Sequence, residues 1–215
     1  MQRIRIFYAK TQSLRYTGNL DVHKIWERTF RRAKLPLAYS QGYHPQPKIN
    51  QACPLPLGMT SCAEILDFWL DPDLPLEETR GVLDKCIPPG IELQDIILVD
   101  LCEPALQTQV VAAEFQASWP IPPQEKSSYM QTLEIKIKGI ISAASLPRTW
   151  KKKDYDLRPY IMNLEILDST DIDRINLFFR LMAREGATGR PEELLAALGI
   201  DPFTAHIERV SLIFR

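Results

Sequence analysis

A chain of 215 residues, 45% hydrophobic and 25% charged, has ordinary globular proportions and is long enough to bury a core in one large domain or two small ones. It holds no apolar run of the roughly eighteen residues a membrane span needs, and its first residues, MQRIRIFYAK, read as a charged strand rather than a secretory leader. The net charge of −1 conceals a segregation: residues 1–50 carry ten Lys/Arg against Asp21 and Glu27, while residues 51–105 carry eleven Asp/Glu against Arg80 and Lys85. Either the basic segment forms a surface for an anionic partner, or the two segments face each other and cancel.

In chain order, residues 3–9 (RIRIFYA) alternate charged and apolar side chains, the period of a half-buried strand. From Asn19, a plausible N-cap, Leu20, Val22, Ile25, Trp26, Thr29, Phe30 and Ala33 form one stripe of a helix that Pro36 stops beyond Lys34. A short strand at 47–53, a strand at 62–71, a helix at 75–87 opened by Pro75 and a strand at 91–100 complete the order β-α-β-β-α-β. That is the ferredoxin-like arrangement of two helices on one face of an antiparallel sheet, in an α+β chain. Residues 1–102 are thus expected to form one subdomain. Residues 103–108 look like a linker.

Residues 108–215 echo this more weakly as a second α+β subdomain, for which the same topology is one option. A strand at 108–119 precedes a segment, QEKSSYMQTLEIKIKGI, whose pattern changes from helix to strand near Leu133. Lys151, Lys152 and Lys153 read as a hairpin tip, strands follow at 162–168 and 174–183, and a helix at 191–198 starts on Pro191 and ends before Gly199. A strand at 205–214 closes the pattern.

Three stretches have the composition of sites. In AKTQSLRYTGNLD, Lys10, Arg15 and Tyr16 precede a helix N-terminus that suits an anion, if Asn19 does not satisfy its donors. In AYSQGYHPQPKI, Pro45 and Pro47 stiffen a loop carrying Tyr39, Ser40, Gln41, Tyr43, His44 and Lys48, with Gly42 allowing a turn. Tyrosine stacking on bases with lysine and arginine on phosphates is one use of such a loop, and a purely structural crossover is the other. In WKKKDYDLRPYI, Asp156 and Arg158 would share one side of a strand, as an ion pair or as ligand contacts. Arg28, Arg31 and Arg32 add long-range attraction for an anion.

Other chemistry is hard to find. No glycine-rich phosphate loop, HExxH helix or GxSxG elbow is present. His23, His44 and His206 fall on a helix, a loop and a strand, so no metal site is expected. The four cysteines are widely spaced, without a CxxC pair, and read as reduced thiols of a cytoplasmic protein. An enzyme built on His44 and Asp156 remains an alternative.

The run KTQSLRYTGNLDVHKIWERTFRRAKLPLAYSQGYHPQPKI, continued by PLPLGMTSCAEILDFWL and later by DYDLRPYI and GRPEELLAAL, resembles the radical SAM-linked protein family of bacteria. It departs at Gly18-Asn19, where many members carry Ser-His. The resemblance implies association with a radical SAM protein encoded alongside or fused. That partner would hold S-adenosylmethionine and an iron–sulfur cluster, with a cobalamin-binding region in many fused forms. It also hints at RNA or a ribosome-related substrate. This chain lacks a CxxxCxxC run, so no cofactor is expected in it and its role would be accessory: recognising a substrate or docking on the enzyme.

Overall fold

The computed structural model describes residues 1–215 apart from 151, 169 and 185, and leaves the side chain of residue 150 undescribed. The chain divides into two compact units, Met1–Val110 with Arg215, and Val111–Phe214.

The first unit runs β1 (Gln2–Lys10), α1 (Asn19–Arg32), β2 (Ile49–Gln51), β3 (Thr60–Leu70), α2 (Leu76–Asp84), β4 (Ile91–Val99) and a single-turn α3 (Leu106–Gln109). Its strands pair antiparallel in the order β4-β1-β3-β2, the ferredoxin-like order that the sequence predicts. Alternation along β1 sends Ile4, Ile6 and Tyr8 to the helical side, where Val22, Trp26 and Phe30 of α1 and Leu83 of α2 meet Leu66, Phe68 and Leu70 of β3. Rings link the layers. Tyr8 meets Trp26 edge-on at 4.9 Å, and Phe30 stacks on Phe68 at 4.4 Å, contacts worth about 0.5–1.5 kcal/mol each beyond their burial.

The opposite face of β1 carries Arg3 and Arg5, and both bind the fully buried Asp67 of β3. Arg3 also donates to the carbonyls of Glu103 and Pro104, and Arg5 lies 3.3 Å from the Glu103 carboxylate. Residues 103–108, expected as a linker, are therefore docked on the sheet, with Leu106 completely buried. These four side chains also settle part of the charge segregation: some of the basic and acidic groups do cancel internally.

Both helices are shorter than expected. α1 begins after Gly18, which has no side chain to cap it, so Asn19 is not the N-cap. It closes with Lys34 in the left-handed region (φ 55°) and the Leu35 amide donating to the Phe30 carbonyl, a C-terminal cap that usually takes glycine. α2 stops at Asp84.

The second unit runs β5 (Val110–Pro120), α4 (Lys126–Ser142), β6 (Pro147–Trp150), β7 (Lys153–Asp156), β8 (Ile161–Leu167), β9 (Arg174–Arg184), β10 (Ala187–Thr188), α5 (Pro191–Leu198) and β11 (His206–Phe214). Without the β6–β7 hairpin and the short β10, the order is again β-α-β-β-α-β, and the strands pair as β11-β5-β9-β8. The second unit repeats the first.

One expectation is corrected here: 126–142 is a continuous helix with no change to strand at Leu133. The alternation of Leu133, Ile135 and Ile137 mimics a strand, yet the residues that reach the core are Leu133, Ile137 and Ile140, at helical spacing, while Ile135 points outward. The expected lysine turn is the β6–β7 turn. Lys152 is exposed there with φ 66°, and Lys151 lies outside the described residues.

Candidate nucleic-acid interface

Because β1 and β3 are antiparallel, Gln2 pairs with Leu70 at one end of the first unit's sheet and Lys10 with Ser61 at the other. The nine residues of β1 separate these ends by roughly 26 Å. The two stretches of unit 1 that look most like sites lie at opposite ends.

At the Lys10 end the charged residues turn inward. Lys10 is 2% exposed, and its ammonium donates to the carbonyls of Thr17 (2.9 Å), Met59 (3.2 Å) and Arg15 (3.4 Å). Arg15 exchanges two hydrogen bonds with Gly58: its Nε donates to the Gly58 carbonyl and its carbonyl accepts the Gly58 amide. Its guanidinium lies 5.3 Å from the centre of the Tyr16 ring. The loop is also pinned to Gly90 (φ 95°), whose carbonyl accepts the Thr11 amide and where a Cβ would come within 2.5 Å of Leu14 Cγ. Lys10 and Arg15 thus stitch this loop, and the structure does not bring them together with Tyr43, His44 and Lys48, which lie toward the other end of the sheet. A buried ammonium surrounded by carbonyls is committed to its own chain.

At the Gln2 end the chain does the opposite. Leu37 bridges to Leu70, Tyr39 bridges to Pro47, and the residues between form a finger. The Ser40 amide donates to the Gln46 carbonyl, and the Gln46 amide donates to Ser40 Oγ, so Ser40 is spent on holding the two arms together. Beyond that bridge Gln41, Gly42, Tyr43, His44, Pro45 and Gln46 are all exposed. Gly42 makes the turn at φ 146°, a conformation that side-chain-bearing residues rarely adopt. Tyr43 is 96% exposed, with the His44 ring at right angles 5.2 Å away, and Tyr39 is 43% exposed at the base. Lys48 is half-buried, its Nζ 3.8 Å from Met1 Sδ.

α1 runs from the Lys10 end back toward the finger, so its last turns with Arg28, Arg31 and Arg32, and Lys34 after them, lie toward the finger's end of the unit. Arg31 pairs with Glu27 one turn before it, and Arg32 donates to the Cys86 carbonyl. The side chains of Arg28 and Lys34 are exposed and, among the described residues, make no hydrogen bond or ion pair. Lys34 was not singled out from sequence. Its signal was position, directly after a basic helix and before the tyrosine-rich loop. Asp71 and Asp73 are exposed at the same end, both near the Met1 amino group.

In the second unit the β6–β7 hairpin fills the slot that the finger fills in the first, between the first helix and the second strand of the repeat. It is tied down. Arg148 donates to the Glu193 carbonyl and lies 3.3 Å from the Glu193 carboxylate on α5. Tyr155, opposite Arg148 in the hairpin, has its hydroxyl pushed up from the usual phenol range by burial and by nearby Glu193. Burial likewise raises the Glu192 carboxyl.

Asp156 and Arg158 do not share a strand face, and no ion pair joins them. Asp156 ends β7, where Oδ1 accepts the backbone amides of Leu146 and Arg158, and these hold its carboxyl below the usual range. Arg158 sits in the following turn and donates to the carbonyls of Ile141 and Ile161. Both side chains hold the chain's own backbone. Among the described residues no three of His, Cys, Asp and Glu converge as a metal-binding group, and no helix is long and apolar enough to cross a membrane.

The fold thus defines a mixed α+β chain of two ferredoxin-like repeats, with one projecting, unpacked finger. The chain belongs to the family described as "Uncharacterized protein conserved in bacteria (DUF2344)", whose profile matches residues 3–191. No curated protein matched the chain. Among solved structures, a chain of "Crystal Structure of a Cbf5-Nop10-Gar1 Complex" superposes with a TM-score of 0.45 at 10% identity. The superposition covers 89% of this chain and 45% of that one, a likeness too weak to carry an argument.

Proposed function

We propose that this chain is a non-catalytic recognition domain that serves a radical SAM enzyme in the cytoplasm, and that it binds RNA or another anionic substrate at the finger end of its first unit. The observation that carries this reading is the exposed Tyr43 at the tip of a backbone-braced finger, toward the same end of the unit as the unpaired side chains of Arg28 and Lys34. A protein that keeps an aromatic ring in water beside unspent positive charge is equipped for stacking and phosphate contact. The resemblance to the radical SAM-linked family supports the choice of partner, which would hold the S-adenosylmethionine, the iron–sulfur cluster and any cobalamin. The test is polarisation titration of a labelled RNA against the whole chain over a range of salt. Binding should weaken steeply with salt, and Arg28→Gln with Lys34→Gln should reduce the log–log slope by about 1.4. Absence of binding at low salt refutes the RNA version.

A second reading is favoured by the exposed Asp71 and Asp73 at the same end, which give the finger a mixed-charge setting. In that reading the finger docks on the radical SAM protein itself. Co-purification of the two chains that is lost with Tyr43→Ala and Pro45→Ala supports docking, and a complex indifferent to both changes places the contact elsewhere.

A further inference from the structure

We infer that the ligand of the finger is an unpaired nucleotide segment, a single strand or a loop, and that Tyr43 receives the face of an unstacked base. The inference rests on the RNA reading above and narrows it.

Three observations point this way. First, the finger offers ring faces. Tyr43 is 96% exposed, with the His44 ring standing at 90° to it, so its ring is open to solvent. A duplex keeps its base faces covered by their neighbours and presents only edges and phosphates, which an exposed ring cannot stack on; a single strand presents faces. Second, the aromatic tip is held out from the sheet. Tyr43 is four residues beyond the bridge at Tyr39, a reach of at most about 13 Å, and the Ser40–Gln46 bonds brace the arms from within. Third, the positive surface is narrow. Of the cations at this end Arg31 is paired, Arg32 is engaged and Lys48 is half-buried against Met1, which leaves Arg28 and Lys34, while exposed Asp71 and Asp73 bound the same end. That strip matches one backbone better than the two of a double helix, whose recognition runs on contacts spread over both strands.

The finger is therefore a stacking post beside a short phosphate rail. The experiment is polarisation titration of the whole chain with a short oligouridine, a short oligoadenosine, a blunt RNA duplex and inorganic polyphosphate, comparing wild type, Tyr43→Ala and Tyr43→Phe. Circular dichroism confirms that the variants are folded. The single strands should bind at least about tenfold tighter than the duplex. Tyr43→Ala should weaken them about 5- to 150-fold, Tyr43→Phe should retain binding, and neither should change binding of polyphosphate. A duplex that binds as tightly as the single strands, or single strands indifferent to Tyr43→Ala, overturns this inference and leaves the RNA reading standing. Failure of every RNA probe to bind overturns both.

Discussion

The finger at residues 39–47 and the β6–β7 hairpin occupy the same place in two repeats of one topology, yet they are treated in opposite ways. The hairpin is pulled onto its own unit by Arg148 and Glu193, and its turn into the next strand is fixed by Asp156. The finger spends only backbone groups and Ser40 on its stability and leaves its tip in water. A projecting element with its tip in water is open to contacts outside its own unit. The same contrast separates the two ends of the first unit, where Lys10 and Arg15 are consumed by the fold while Tyr43 and Lys34 are not.

Four substitutions, taken from the largest expected effect to the smallest, test this contrast. Lys10→Met leaves loop carbonyls without their buried donor and should cost about 2–4 kcal/mol of stability in a urea melt. An unchanged melt would return Lys10 to the list of candidate ligand contacts. Asp156→Ala should lower the melting temperature by less and flatten its pH dependence. The native carboxyl is held below its ordinary range, so its contribution is present above that range and is lost as pH falls through the folded value. A variant whose stability profile follows wild type in acid would show that the turn is held by something else. Arg148→Ala should cost about 1 kcal/mol by releasing the hairpin from α5. Tyr43→Ala should stay within about 0.5 kcal/mol of wild type; a larger loss would mean that the finger is part of the fold after all.

Much of the architecture is legible in the sequence because it rests on side-chain period. Alternation in β1 and the stripe from Val22 to Phe30 give the first repeat, and Pro191 with Gly199 brackets α5. α4 misleads because Leu133, Ile135 and Ile137 satisfy the period of a strand as well as part of a helix, and only packing decides between them. The site is less legible because burial of a charge is a tertiary event. Lys10 has the same parity in β1 as Ile4, Ile6 and Tyr8, the one local sign that it points inward. Asp156 and Arg158 each have one near partner in the chain, the Arg158 amide and the Ile161 carbonyl, but their partners at Leu146 and Ile141 belong to another segment that no local pattern announces.

The Arg3–Arg5–Asp67 cluster has a consequence for how a chain of two like repeats assembles. In the first repeat the leading strand is the cationic one, with Arg5 opposite Asp67. In the second the polarity is reversed: the leading strand β5 carries Glu114, opposite Arg180 of β9. Strands exchanged between repeats would set arginine against arginine, or Glu114 against Asp67. Like charges placed so repel each other, most at the Asp67 site, which is shut off from water, and less at Arg180, which is partly hydrated. Each repeat thus carries a key that admits its own strand and refuses its twin, a safeguard against the misassembly to which duplicated domains are prone.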